Sequence, residues 1–304
     1  MIRLTCALIC LVLASPAVAQ DIGTMTPRVL PPIANPQDPN LAAKELFGRA
    51  NSAAPIEARA IGFYSRGCLA GGTALPVNGE AWQVMRLSRN RNWGHPDMIR
   101  FLEDFARKVP KASNWPGILV GDISQPRGGP MLTGHASHQI GLDADIWLTP
   151  MPRRQLTREE REMTSAINMV RADRRDIDPA TWTGDHLNVI RTAAQSPRVE
   201  RVLVNPAIKR AICREATGDR RWLAKVRPTP GHNYHMHIRL TCPQGDATCR
   251  PQDPPPTVDG CGADLDWWFT DEVLNPRPNP NWRPPPPITM AGLPDACRQV
   301  LIAR

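Results

Sequence analysis

The sequence predicts an α+β fold: a single domain on a central antiparallel sheet, flanked by helices and long proline-rich loops and cross-linked by disulfides. Three observations carry this. Segments of helical period are interspersed with short alternating strands, a mixture that gives α+β architecture. The 304 residues include 33 prolines, about double ordinary usage, which interrupts helices and multiplies extended loops. Six of the eight cysteines lie beyond residue 60, an even number suited to bridges in an exported chain.

The elements follow in order. Residues 1–19 read as a signal peptide. Arg3 is the positive start, Leu4–Ala14 the short apolar run, and Ala17-Val18-Ala19 the small residues of a cleavage site. The run is too short to span a bilayer, and Ile9 before Cys10 is not the small residue a lipid anchor needs. The expectation is a periplasmic protein with no stable membrane anchor. Residues 20–58 are an extended N-terminal lead-in with one short helix near Leu41–Arg49.

The domain proper is expected over 59–265. Met98, Ile99, Leu102, Phe105, Ala106 and Val109 recur every three to four residues, so Asp97–Val109 is a helix. Arg158–Ala172 is a second, with Thr157 as N-cap and Glu160 three residues on. Asp185–Gln195 is a third. Strands are expected at Gly117–Asp122, Leu142–Leu148, Val199–Val204 and His235–Leu240. The rest, 266–304, is a proline-rich C-terminal segment packed on the domain, ending in a helix over Leu293–Ala303. The stretches 251–256 and 276–287 are expected to be extended, as in polyproline II. Six cysteines allow 15 pairings, and Cys242 and Cys249 are close enough for a local loop.

The formal net charge is +8, or +7 once Arg3 leaves. Outside the cytoplasm a basic surface suits anionic wall polymer or an anionic lipid surface rather than nucleic acid, but the arginines are scattered rather than clustered, which favours an ordinary solvated surface.

All seven histidines lie between residues 95 and 237, five of them in the runs Gly134-His135-Ala136-Ser137-His138 and His232-Asn233-Tyr234-His235-Met236-His237. Alternate strand residues share a face. His235, His237 and Arg239 therefore point one way, and Met236, Ile238 and Leu240 the other. Likewise Asp143, Asp145 and Trp147 oppose Leu142, Ala144, Ile146 and Leu148. Two such strands can pair so that their polar faces form one site. A catalytic zinc takes three nitrogen or carboxylate ligands and an open position, and His138, Asp145 and His237 supply that set. Calcium and magnesium are disfavoured by so much imidazole. No H-E-x-x-H motif supplies a glutamate base, so His235 or His232 takes the proton work. The spacing suggests His235 as proton carrier and His232 as oxyanion stabiliser.

Ser137-His138-Gln139-Ile140-Gly141-Leu142-Asp143-Ala144-Asp145, followed by His235-Met236-His237, resembles the zinc metallopeptidases related to lysostaphin and the D-alanyl-D-alanine peptidases. The fuller resemblance is to the penicillin-insensitive murein endopeptidases. It extends over Gly67-Cys68-Leu69, Gln83-Val84-Met85-Arg86, Asn92-Trp93-Gly94-His95-Pro96, Val204-Asn205-Pro206-Ala207-Ile208-Lys209 and Lys225-Val226-Arg227-Pro228. The resemblance implies hydrolysis of the D-alanyl–meso-diaminopimelyl cross-link of peptidoglycan by a periplasmic zinc enzyme. It places zinc on His138, Asp145 and His237, with His135 as a further ligand candidate and His232 and His235 as active-site histidines. It implies the bridges Cys68–Cys297, Cys213–Cys261 and Cys242–Cys249. An accessory metal site of some members falls on Asp173 and Asp176, but its histidine is missing here, and solvated loop aspartates are the simpler reading. Thr229-Pro230-Gly231 stands where the family often has an aromatic residue, which bears on the cleft's shape. Rival readings are a D,D-dipeptidase or carboxypeptidase on stem peptides, and a non-catalytic zinc-containing wall-binding protein. Oligomeric state is not legible.

Overall fold

The computed structural model describes residues 22–26 and 29–304; the signal peptide reading, with Cys6 and Cys10, lies outside them. In chain order the elements are α1 (Ala43–Phe47), β1 (Arg59–Phe63), β2 (Arg66–Ala70), β3 (Thr73–Ala74), β4 (Trp82–Val84), β5 (Trp93–Gly94), α2 (Pro96–Ala112), β6 (Ile118–Val120) and β7 (Asp143–Trp147). There follow α3 (Arg158–Met163), α4 (Gly184–Ala194), β8 (Val199–Val204), α5 (Pro206–Glu215), β9 (Val226–Pro228), β10 (His235–Leu240), α6 (Ala263–Asp266), α7 (Asp271–Leu274) and α8 (Ala296–Ile302). The stretches 251–256 and 276–287 contain no helix or strand.

The central sheet has the order β4-β6-β7-β10-β8-β9. Its middle is antiparallel, as expected, while the β4–β6 and β8–β9 pairings are parallel. β7 and β10 lie side by side with Met236 opposite Ile146 and Ile238 opposite Ala144. These apolar residues share one core with Met98, Leu102 and Phe105 of α2 and Val189 and Ile190 of α4. α2 starts sharply because Pro96 needs no N–H partner at the first helical position and His95 Nδ1 accepts the Asp97 N–H at 3.2 Å. His95 is thus a helix cap. His186 is structural too: it bonds Thr183 N–H and Leu148 O and packs between Trp115 and Trp182.

One expected helix is much shorter than its pattern suggested. α3 keeps its capping box, Thr157 with Glu160, but stops at Met163 instead of reaching Ala172. Tertiary partners take the backbone beyond it. Arg86 donates to the Arg161 and Thr164 carbonyls. Met169 N–H donates to Asn233 O, and Val170 bridges Ile177. The β1–β2 hairpin and the short strands β3, β4, β5 and β9 had no clear sequence signal.

The six remaining cysteines form Cys68–Cys297, Cys213–Cys261 and Cys242–Cys249, the pairing the resemblance implied. The first fastens α8 to β2, where Phe47, Ile61, Cys68, Leu293 and Val300 make a second small core. No helix among the described residues is long and apolar enough to cross a membrane.

Candidate metal centre and cleft

The register of β7 on β10 makes Asp145 and His237 direct partners across the ladder. His138 reaches them from the loop before β7. That loop turns at Gly141, whose φ is +71° and where a Cβ would lie 2.7 Å from the His95 nitrogen, so only glycine fits. His138 itself adopts φ 67°. Three bonds hold it there: its N–H donates to Asp143 Oδ2, its carbonyl accepts from Ser124 Oγ, and its Nδ1 meets Ile123 O at 2.6 Å.

The donor geometry tests whether a metal fits. His138 Nε2 and His237 Nδ1 are 3.1 Å apart, and they lie 3.4 and 3.2 Å from Asp145 Oδ1. Three donors at about 2.0–2.1 Å from a tetrahedral zinc stand about 3.3–3.4 Å from one another. The tautomers agree. A carbonyl accepts only from N–H, so His138 carries its proton on Nδ1. His237 Nε2 is 3.0 Å from Asp143 Oδ1, which places a proton there. The lone pairs of His138 Nε2 and His237 Nδ1 then converge on Asp145 Oδ1, a buried oxygen with no hydrogen-bond partner. Three buried nitrogen and oxygen atoms at these separations form a candidate cation site.

The electrostatics have the same sense. Burial alone would raise the Asp145 carboxyl, but the imidazoles of His235, His138 and His135 outweigh it and hold it well below the usual carboxylate range. Burial lowers His138. Burial also opposes charge on His237, yet Asp143 and Asp145 push it up to about 9, so metal uptake there would displace a proton.

The remaining candidates fall around this triangle. The ligand atoms of His135, His138 and Asp145 also lie within 4.8 Å of one another. His135 Nδ1, however, faces Asp145 Oδ2, the other oxygen, at 3.5 Å, and its Nε2 is bonded to Asp122. His235 Nε2 is 3.6 Å from Asp145 Oδ1, and burial pushes its ring down to about 4. His232 has φ 51°, with ring centroids 4.9 Å from His235 and 5.9 Å from His237. Asp173 and Asp176 are elsewhere, paired with Arg171 and Arg214.

Sequence reasoning missed several residues of the site. Asp122 Oδ2 gathers Arg89, Arg91 and His135 at 3.2, 2.8 and 3.0 Å; a carboxylate closing the apolar run Ile118–Val120 was the available signal. Asn205 caps α5 and also clamps the His232 loop, its N–H donating to His232 O and its Nδ2 to Gly231 O. Beside the triangle opens a cleft of about 390 Å³ lined by Arg89, Arg91, His135, Trp147, Tyr234 and His235.

Residues 60–302 match the family model described as penicillin-insensitive murein endopeptidase. Over 276 residues the chain is 41% identical to the penicillin-insensitive murein endopeptidase of Haemophilus influenzae, covering 88% of this chain and 90% of that protein. It is 40% identical to that of Klebsiella pneumoniae subsp. pneumoniae over 244 residues, 80% of this chain and 86% of the relative. The Escherichia coli O1:K1 protein of the same name is 40% identical over 250 residues, 81% and 87%. A match across nearly the whole described domain, around a closed His–His–Asp triangle, leads to one statement: this chain belongs to the penicillin-insensitive murein endopeptidase family.

Proposed function

We propose that the protein is a periplasmic zinc endopeptidase that hydrolyses peptidoglycan peptide cross-links at the D-alanyl–meso-diaminopimelyl bond. The convergence of three buried lone pairs, from His138, Asp145 and His237, carries this reading, and the curated relatives' name supplies the substrate class. The donor set is nitrogen-rich, which favours zinc over magnesium or calcium. Zinc held there would act as a Lewis acid and lower the pKa of a water at its open position.

The chain's own residues divide the remaining work. His232 Nδ1 is 3.0 Å from Pro230 O, so its proton sits on Nδ1 and Nε2 is its open acceptor. Burial lowers this ring's pKa, leaving it neutral near pH 7 and fit to take a proton. This reverses the division suggested by spacing: His232 is the proton acceptor, and His235, beside Asp145, interacts with the developing charge. His135, tied to Asp122, stands next to the ligand carboxylate as the further ligand candidate. Arg89 and Arg91, both held on Asp122, line the cleft and offer N–H donors to the carboxylates of peptide stems. Asp173 and Asp176, ion-paired away from the triangle, are surface carboxylates rather than a second metal site.

The test is digestion of purified cross-linked and uncross-linked muropeptides, with and without a chelator. Chelator-sensitive conversion of dimers to monomers is expected. Release of D-alanine or a dipeptide from uncross-linked stems alone would make it a dipeptidase or carboxypeptidase. Binding without cleavage would make it a wall-binding protein.

A further inference from the structure

We infer that Asp143 is the positioning residue of the metal site, one carboxylate that aims both histidine ligands at once; this rests on the ligand set proposed above. Asp143 is fully buried and both its oxygens are engaged. Oδ1 accepts from His237 Nε2 at 3.0 Å and Arg239 Nε at 2.7 Å. Oδ2 accepts from the His138 backbone N–H at 3.0 Å and Arg239 Nη2 at 3.3 Å. His138 and His237 are 99 residues apart in sequence, and this side chain bonds both of them.

Each bond has a separate effect. The bond to His237 fixes the Nε2–H tautomer and so turns the Nδ1 lone pair toward Asp145. The bond to His138 N–H secures a backbone held at φ 67°, a conformation a non-glycine residue keeps only where its surroundings enforce it. Asp143 is itself immobilised through Arg239. That guanidinium donates to Gln252 Oε1 and lies 4.1 Å from the centroid of the Tyr64 ring, whose hydroxyl donates to Leu240 O.

Asparagine cannot substitute. Its one acceptor oxygen can face His237 and Arg239 or face His138 N–H. Either way its NH₂ meets another donor.

The experiment is the zinc affinity of purified Asp143→Asn, measured by competition with a chromophoric chelator, together with the visible spectrum of the cobalt-loaded protein. Affinity should fall about 10–100-fold, the usual effect of losing a ligand's hydrogen-bond partner, and the cobalt bands should shift. Asp143→Asn leaves Arg239 with an uncompensated buried charge, so Asp143→Asn/Arg239→Gln, which neutralises both, carries the measurement if the single variant unfolds. A folded variant that binds zinc within threefold of wild type, with an unchanged cobalt spectrum, overturns the inference. Wild-type protein that binds no zinc instead overturns the ligand set.

Discussion

Strands β7 and β10 have two faces, equally buried and held by opposite means. On one, Ala144, Ile146, Met236 and Ile238 are fully inaccessible and pack against α2 and α4. On the other, Asp143, Asp145, His237 and Arg239 are at most 8% exposed, and nearly every polar atom has a partner. The first face needs volume and apolarity; several side chains of the right size would serve. The second needs particular atoms at particular distances, because a buried polar group without a partner costs free energy. Its one orphaned oxygen, Asp145 Oδ1, lies in the candidate metal site. Stability and chemistry thus reside on opposite sides of the same ten-odd residues, and substitutions should separate them.

The largest effect should come from the triangle. His138→Ala, Asp145→Ala and His237→Ala each remove one of three converging lone pairs, and each should abolish both metal binding and activity. Metal content by mass spectrometry, read alongside turnover, decides this. Full occupancy and full activity in any one variant removes that residue from the set.

Next come the two histidines beside it. His232→Ala and His235→Ala should keep the metal and lose roughly 10²–10⁴ in turnover, the scale of acid–base assistance. Since the His232 pKa is lowered, the ring is protonated only at acid pH. The wild-type rate should therefore fall on acidification below about pH 6.5, and that limb should vanish in His232→Ala. Its persistence there, and loss in His235→Ala, would restore the assignment suggested by spacing.

The apolar face should answer differently. Ile238→Ala leaves a cavity between sheet and helices and should cost about 2–5 kcal/mol of stability, seen in chemical denaturation. Below its melting temperature the variant should still bind metal and turn over nearly normally. A large loss of activity in folded protein would break the contrast between the faces.

The smallest effect is expected far from both. Lys209 on α5 is fully buried, its Nζ donating to the Leu223 and Asp259 carbonyls. Burial, helped by Arg227, pushes its pKa down to about 7, below the unfolded value of about 10.4. Between those pH values the unfolded chain holds a proton the folded chain lacks, so this residue's contribution to stability rises with pH. The melting temperature of wild type relative to Lys209→Met should increase from pH 7 to 9, by on the order of 2–4 °C. A difference independent of pH would mean that the two carbonyls keep the ammonium charged.

Much of this was legible in the sequence because the signals are local. Alternation in Leu142–Leu148 and His235–Leu240 fixed which side chains share a face; β8 and β10 follow their patterns to the residue, and α2 contains its expected span and runs three residues beyond it. The capping box at Thr157 marked where α3 begins. Its end was not legible: Arg86 and Asn233 bond the backbone beyond it, and both are distant in sequence.

The candidate site divides in the same way. The sequence by itself determined that histidines and aspartates cluster in two runs, that a polar and an apolar face alternate, and that six cysteines could be bridged. Only the tertiary structure decided the pairing of His237 with Asp145, the approach of His138 to within 3.1 Å of His237, and which nitrogen of each ring stays open. The structure likewise decided that Asp122 and Asn205, bland in sequence, hold His135 and the His232 loop. The physical reason is range. Periodicity and capping involve neighbours three or four residues apart, whereas tautomers, strained φ angles and orphaned oxygens depend on atoms that only folding brings within hydrogen-bond distance.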